Sequence, residues 1–255
     1  MKTDVRAPIG VEVTDVDLSD LTDDDVNDVV RLLAEHGVAV FPRQQIDDDD
    51  LERFLRRFGT LVFTTGETPV EGHPDLNVIS NVGRTTPPRS SFHVDSSYFA
   101  VPPAYTALRA VSIPEEGGQT LFTNQYDAVD TLPEEWRLRL AGRTITHVVT
   151  GLELGDDDET EAEHPVFSVH PVSGRTSLYL STPQRCVSVS GMSEAESAEV
   201  VSFLYEHSTA QKNTMRHAWR AGDVVIWDNR CVLHKADHSG VVGDRVMHRG
   251  MVAAS

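Results

Sequence analysis

With 255 residues, 39% of them hydrophobic and 24% charged, the chain is long enough to bury one substantial core and ordinary enough in composition for a soluble globular fold. A formal charge of -18 at pH 7 repels phosphate backbones, and no apolar run reaches the ~20 residues that span a bilayer. Neither nucleic acid nor a membrane is therefore expected as a partner. Cys186 and Cys231 are too few for a disulfide framework, and the opening MKTDVRAPIGVEV lacks an apolar signal segment, so a cytoplasmic protein with buried thiols is expected.

In chain order, PIGVEVTDVDL (8–18) alternates like an edge strand. Thr22 can cap a helix that starts in Asp23 to Asp25, buries Val26, Val29, Val30, Leu32 and Leu33, and ends at Gly37. GVAVF follows as a short buried strand. The Asp47 to Asp50 run opens a second helix, with Leu51, Phe54, Leu55 and Phe58 inward and Gly59 as its stop. From 64 to 91 the chain is rich in Gly, Pro, Thr and Asn, interrupted by LNVIS (76–80). A loop of that length in a compact domain suggests an active-site lid.

Next, 104–113 and QTLFTN read as strands joined by the turn at Glu116 to Gly118, and 125–140 carries helical signals. Short strands are expected at 142–149, 164–170, 176–181 and 185–189, with a turn at Ser173 and Gly174 and a helix from Ser193. TMRHAWR, VVIWDNRCVLH and DRVMHRGMVA complete an antiparallel set. The pattern predicts one domain over 1–255, mainly β with flanking helices, of the jelly-roll or barrel kind.

Chemistry concentrates at His93 and Asp95 in SSFHVDSSYF. Side chains two apart on an extended chain share a face, so the pair offers a metal two ligands, although a hydrogen-bonded surface pair has the same spacing. A distant histidine would complete a two-histidine, one-carboxylate set of the kind that holds Fe(II) with open positions. His73-Pro74-Asp75 repeats the motif, but Pro74 and its neighbours predict a loop. For the third ligand, Arg245 stands 11 residues after His234 and Arg249 stands 11 after His238, so spacing permits two registers. His234 is preferred because it ends an aromatic strand, whereas His238 lies in the polar stretch ADHSGVVGD.

The ordered segments HVDSSY, GGQTLFTN, WRAGDVVIWDNRCVLHKA and DRVMHRG resemble those of the taurine dioxygenase (TauD/TfdA-like) family of Fe(II)- and 2-oxoglutarate-dependent dioxygenases. EHGVAVFP and LERFLRRFGTL are similar to that family's opening, so the resemblance covers nearly the whole chain. It implies a double-stranded β-helix, or jelly roll. It also implies His93, Asp95 and His234 as iron ligands and catalytic centre, and Arg245 with Thr120 as the clamp for the far carboxylate of 2-oxoglutarate. A guanidinium and a hydroxyl suit that task. The implied reaction uses O2 to oxidise a C–H bond, usually by hydroxylation, and releases succinate and CO2. The carboxylate at Asp95 argues against halogenation.

Within the resemblance, Arg249 matches the position that holds taurine's sulfonate, which implies a small anionic substrate such as a sulfonate, a carboxylate or an amino acid derivative. Arg89 replaces an asparagine and Phe92 a tryptophan, departures that argue against taurine itself. Arg89, Tyr98, Phe99 and Gln184 are further candidates for the substrate pocket, and a homo-oligomer is common in the family. Two other readings use the same residues: a zinc hydrolase, which leaves Arg245 and Thr120 without a task, and a noncatalytic jelly roll that binds a ligand.

Overall fold

The computed structural model describes residues 1–84, 90–152, 154–155 and 158–254. Its larger sheet has the strand order Lys2–Val5, Val11–Thr14, Val38–Phe41, Val224–Asp228, Pro103–Ser112, Val246–Ala253, His73–Ser80 and Pro69–Val70, with Leu61–Val62 also pairing to Val246–Ala253. Pairing is antiparallel except where Val11–Thr14 meets Val38–Phe41. A smaller antiparallel sheet is ordered Thr214–His217, Thr120–Asn124, Val232–Ala236. The two face each other across a shared core that includes Val40, Leu108, Val225, Trp227 and Met247 from the larger sheet and Phe122, Met215 and Val232 from the smaller. This is a jelly roll.

Period-two alternation sorts each strand between that interior and an outer layer. In Val224–Asp228, Val225 and Trp227 enter the interior while Val224 and Ile226 pack outward. The outward residues meet helices Asp23–His36 and Asp48–Arg56 through Leu33, Leu51, Phe54 and Leu55. Both helices begin with capping boxes, Thr22 with Asp25 and Asp47 with Asp50. The acidic runs therefore satisfy orphan backbone donors and the positive helix end. Behind the smaller sheet, Leu121 and Leu233 pack against Val200, Val201 and Leu204 of the helix Glu194–Ser208, which Ser193 caps.

Four details differ from the sequence expectations. The first strand pair is a hairpin of Lys2–Val5 with Val11–Thr14, and the exposure of all four residues of Lys2–Val5 hides it from a burial pattern. The helical stretch at 125–140 divides into Gln125–Asp130 and Glu134–Leu140, because Pro133 cannot supply an interior N–H. His73-Pro74-Asp75 opens a strand rather than a loop. Pairing with Val246–Ala253 begins only at Leu76, so Pro74 owes that ladder no donor. Finally, His93 makes an isolated bridge to His234 instead of lying within a longer strand, and Ser96 already turns with φ +46°.

Candidate metal and cosubstrate site

The bridge between His93 and His234 is closed by two backbone bonds, His93 N–H to His234 O and His234 N–H to His93 O, each 3.0 Å. It sets the imidazoles side by side with ring centroids 4.3 Å apart. Alternation points His234 inward beside its cross-strand neighbour Phe122, and its ring lies 4.5 Å from that of Trp227. Asp95, 4% exposed, completes the group. Its Oδ1 lies 3.6 Å from His93 Nε2 and its Oδ2 3.7 Å from His234 Nε2. These separations are too long for hydrogen bonds and short enough for one ion to bridge.

The protonation states suit a metal as well. His93 Nδ1 donates to the Ser91 carbonyl at 2.8 Å, which leaves the lone pair on Nε2. Burial pushes the His234 imidazole down to about 3, so it is neutral and ligand-ready at pH 7. Burial also works against the Asp95 charge, but the donors and positive charge around it, Arg249 among them, outweigh it and hold the carboxyl well below its usual range. Thr106 Oγ1 adds a hydrogen bond to Asp95 Oδ2 at 2.8 Å.

Beside these groups lies a cavity of about 380 Å³ whose walls include His93, His234, Thr120, Arg245, Arg249 and Glu67, a volume in the small-molecule range. Arg245 is 2% exposed, and burial lowers its guanidinium to about 10. Its Nε donates to the Gly118 carbonyl at 2.9 Å and its Nη2 to Thr120 Oγ1 at 3.3 Å, and it has no ion-pair partner among the described residues. The Thr120 oxygen also accepts from Trp219 Nε1 at 3.0 Å. With both lone pairs used, the hydroxyl has only its proton left to give. Such an arginine and hydroxyl together suit a carboxylate.

Arg249 follows Met247 on the same inward face. Its Nη2 donates to Glu67 Oε1 at 3.1 Å and its Nη1 lies 3.5 Å from Asp95 Oδ1. Of the other candidates, Tyr98 is buried and packs edge-on to Phe99 at 4.7 Å, and Gln184 is exposed; none of these three lines the cavity. Arg89 lies outside the described residues. Within 64–91, Gly66 to Thr68 and Ser90 do line it, as does exposed Arg84. The rival pair His73 and Asp75 is taken up by Glu52 and Arg56. His238 lines the cavity but is not in the ligand cluster.

Sequence reasoning missed Glu67 and Thr106. Thr106 had a signal, a lone hydroxyl at an inward position of the apolar run AYTALRAV. Glu67 had none.

Two histidines and a carboxylate, open on one side to a cavity, form the donor set of non-haem Fe(II) oxygenases. Comparison with known proteins agrees. Residues 2–251 match the family model described as Taurine catabolism dioxygenase TauD, TfdA family. The alpha-ketoglutarate-dependent 2,4-dichlorophenoxyacetate dioxygenase of Cupriavidus pinatubonensis is 32% identical over 93% of this chain and 92% of its own. The alpha-ketoglutarate-dependent sulfate ester dioxygenase of Pseudomonas putida is 30% identical over 98% and 88%. A taurine dioxygenase from Burkholderia xenovorans superposes with a TM-score of 0.87 at 31% identity, covering 100% of this chain and 91% of that one. The chain belongs to the TauD/TfdA family, and it is a dioxygenase that uses Fe(II), 2-oxoglutarate and O2.

Proposed function

We propose that this dioxygenase oxidises a C–H bond of a small organic anion, with His93, Asp95 and His234 as the iron ligands and Arg245 with Thr120 as the clamp for 2-oxoglutarate. The observation that carries the assignment is the pairing of a buried arginine lacking any carboxylate partner among the described residues with a hydroxyl whose proton is uncommitted. Both open on the cavity that the ligand set shares.

In chemical terms, bound iron with 2-oxoglutarate and O2 supplies the power to break an unactivated C–H bond, while the cosubstrate leaves as succinate and CO2. The protein contributes position and charge. Arg245 and Thr120 orient the cosubstrate by its far carboxylate, and the apolar walls of Leu108 and Trp227 strengthen that attraction by excluding water. His234 donates as a neutral imidazole, so no proton has to leave it at pH 7 when metal enters.

The anionic substrate is supported by local charge. On a chain of net charge -18, the described cavity walls carry Arg84, Arg245 and Arg249 against one carboxylate, Glu67. A positive pocket in an acidic protein concentrates anions where the chemistry occurs. The relatives named for a phenoxyacetate and for sulfate esters act on organic anions. An anionic group reaching Arg249 would take the place of Glu67.

The test is succinate release from 2-oxoglutarate, measured with panels of small carboxylates, sulfonates and sulfate esters and with neutral analogues of matched shape. The reading expects members of the anionic panels to stimulate release and their neutral analogues not to. Stimulation by the neutral analogues alone would contradict it.

A further inference from the structure

We infer that Thr106 and Asn229 are positioning residues that hold the Asp95 carboxylate in one rotation, so that it presents a single oxygen to the metal and leaves room for 2-oxoglutarate and O2. The inference rests on the metal-site assignment above.

Three buried hydrogen bonds carry it. Thr106, in the strand Pro103–Ser112, is 0% exposed, and Asn229 is 1% exposed. Thr106 Oγ1 donates to Asp95 Oδ2 at 2.8 Å, Asn229 Nδ2 donates to Thr106 Oγ1 at 2.8 Å, and Trp227 Nε1 donates to Asn229 Oδ1 at 3.1 Å. The direction of every hydrogen is forced. An indole only donates, so the Asn229 amide must turn its oxygen toward Trp227 and its nitrogen toward Thr106. The threonine oxygen accepts there, and its one hydrogen goes to Asp95. The relay ends on an acceptor, which an unprotonated Oδ2 provides.

The anchors are rigid. Trp227 and Thr106 are direct cross-strand partners in the larger sheet, and Asn229 N–H is tied to the Ala104 carbonyl at 2.8 Å. On its other side the carboxylate faces Arg249, with Nη1 3.5 Å from Oδ1. Oδ2 is therefore held by Thr106, and Oδ1, which carries no hydrogen bond at that separation, is the oxygen left to offer.

That restraint has a coordination consequence. A keto acid chelates through two atoms and O2 needs a further position, so a carboxylate free to swing both oxygens onto the metal would crowd the site. Partners behind metal ligands typically carry ~10–100-fold in metal affinity. Packing alone does not explain a hydroxyl at 106, since a valine of nearly the same shape would fill the same volume without orienting Asp95.

The experiment compares wild type, Thr106→Val, Thr106→Ser and Asn229→Ala by Co(II) titration of the metal-free protein, followed through the Co(II) visible spectrum, with the melting temperature as the fold control. We expect T106V to lose roughly 10–100-fold in Co(II) affinity and to shift the spectrum. T106S should restore both, because it returns the hydroxyl. N229A, which leaves Thr106 unoriented, should move in the same direction by less, and it carries the test if T106V fails to fold. Wild-type affinity and spectrum in T106V, or a loss that T106S does not recover, would overturn the inference. A wild-type chain that takes up no Co(II) would overturn the metal assignment and this inference with it.

Discussion

Among the described residues, two groups of histidine, aspartate and cysteine side chains come close enough to hold a metal, and only one of them opens on the cavity. His93, Asp95 and His234 form the first, and His170, Asp228 and Cys231 the second. In the second, Arg230 grips both Asp228 oxygens, Nε to Oδ1 at 2.8 Å and Nη2 to Oδ2 at 2.5 Å, while His170 Nε2 lies 2.9 Å from Oδ2. The carboxylate is neutralised and hydrogen-bonded. It ties the turn after Trp227 to the segment around His170, which is structural work. In the first cluster the imidazole nitrogens stop 3.6 and 3.7 Å from the carboxylate, and a cavity adjoins them. Residue types are nearly the same. What separates a site from a brace is whether the ligand atoms remain uncommitted.

The sharpest way to break this comparison is to delete one histidine from each cluster. His234→Ala should abolish both metal uptake and turnover while leaving a folded protein, as followed by metal analysis and succinate release. His170→Ala should leave metal uptake intact and lower stability instead. Arg230 still neutralises Asp228, so the cost is that of one hydrogen bond to a buried charged group, about 1.5–3 kcal/mol, seen as a fall in Tm of roughly 5–10 °C at ~2–4 °C per kcal/mol.

Arg245 extends the contrast to cations, since Arg230 is committed to a carboxylate and Arg245 is not. Arg245→Ala should weaken 2-oxoglutarate binding by roughly 100-fold, in line with the ~2–5 kcal/mol for truncating one side of a buried charge pair. Arg245→Lys should recover only part of it, because an ammonium lacks the planar fork. Equilibrium binding to metal-loaded protein measures both.

A buried histidine with no carboxylate beside it gives a smaller, pH-dependent effect. Burial, with the charges of His164 and Arg185 behind it, pushes His147 down to about 3. The fold favours the neutral form, whereas the unfolded chain takes up a proton near its ordinary ~6.5. His147 therefore costs no stability above ~6.5, and stability falls as pH drops toward 3, by about 1.4 kcal/mol per unit. Denaturant melts of metal-free protein between pH 7 and 5 should show this slope, and His147→Leu should flatten it. The smallest expected effect is at the cavity wall: Glu67→Gln frees the Arg249 guanidinium and should lower KM for an anionic substrate a few-fold with little change in kcat.

Much of this arrangement was legible before the fold was known. Helix caps at Thr22, Asp47 and Ser193 act locally, so their signals lie within three residues of the helix start. His93, Asp95 and His234 were legible because metal chemistry restricts residue type and because the surrounding motifs resemble a known family. The segment 64–91 was harder. Its Gly and Pro content predicts loop, yet His73–Ser80 becomes a strand because the strand Val246–Ala253, far away in sequence, offers it a paired edge. Thr106 showed only as a hydroxyl in an apolar run and Asn229 not at all, for the same reason: the two join Asp95 only when Pro103–Ser112 and Val224–Asp228 pair. The pocket positions Tyr98, Phe99 and Gln184 came from family position alone, and none of the three lines the cavity: Tyr98 and Phe99 follow the turn at Ser96, and Gln184 is exposed.

The most direct measurement is an anaerobic titration with Fe(II) and 2-oxoglutarate of wild type, His234→Ala and His170→Ala, followed through the weak visible charge-transfer band of a metal-chelated keto acid. The account predicts the band in wild type and in H170A and its absence in H234A. A band that survives in H234A, or one missing from fully metallated wild type, would contradict the assignment of His93, Asp95 and His234 as the centre of this enzyme.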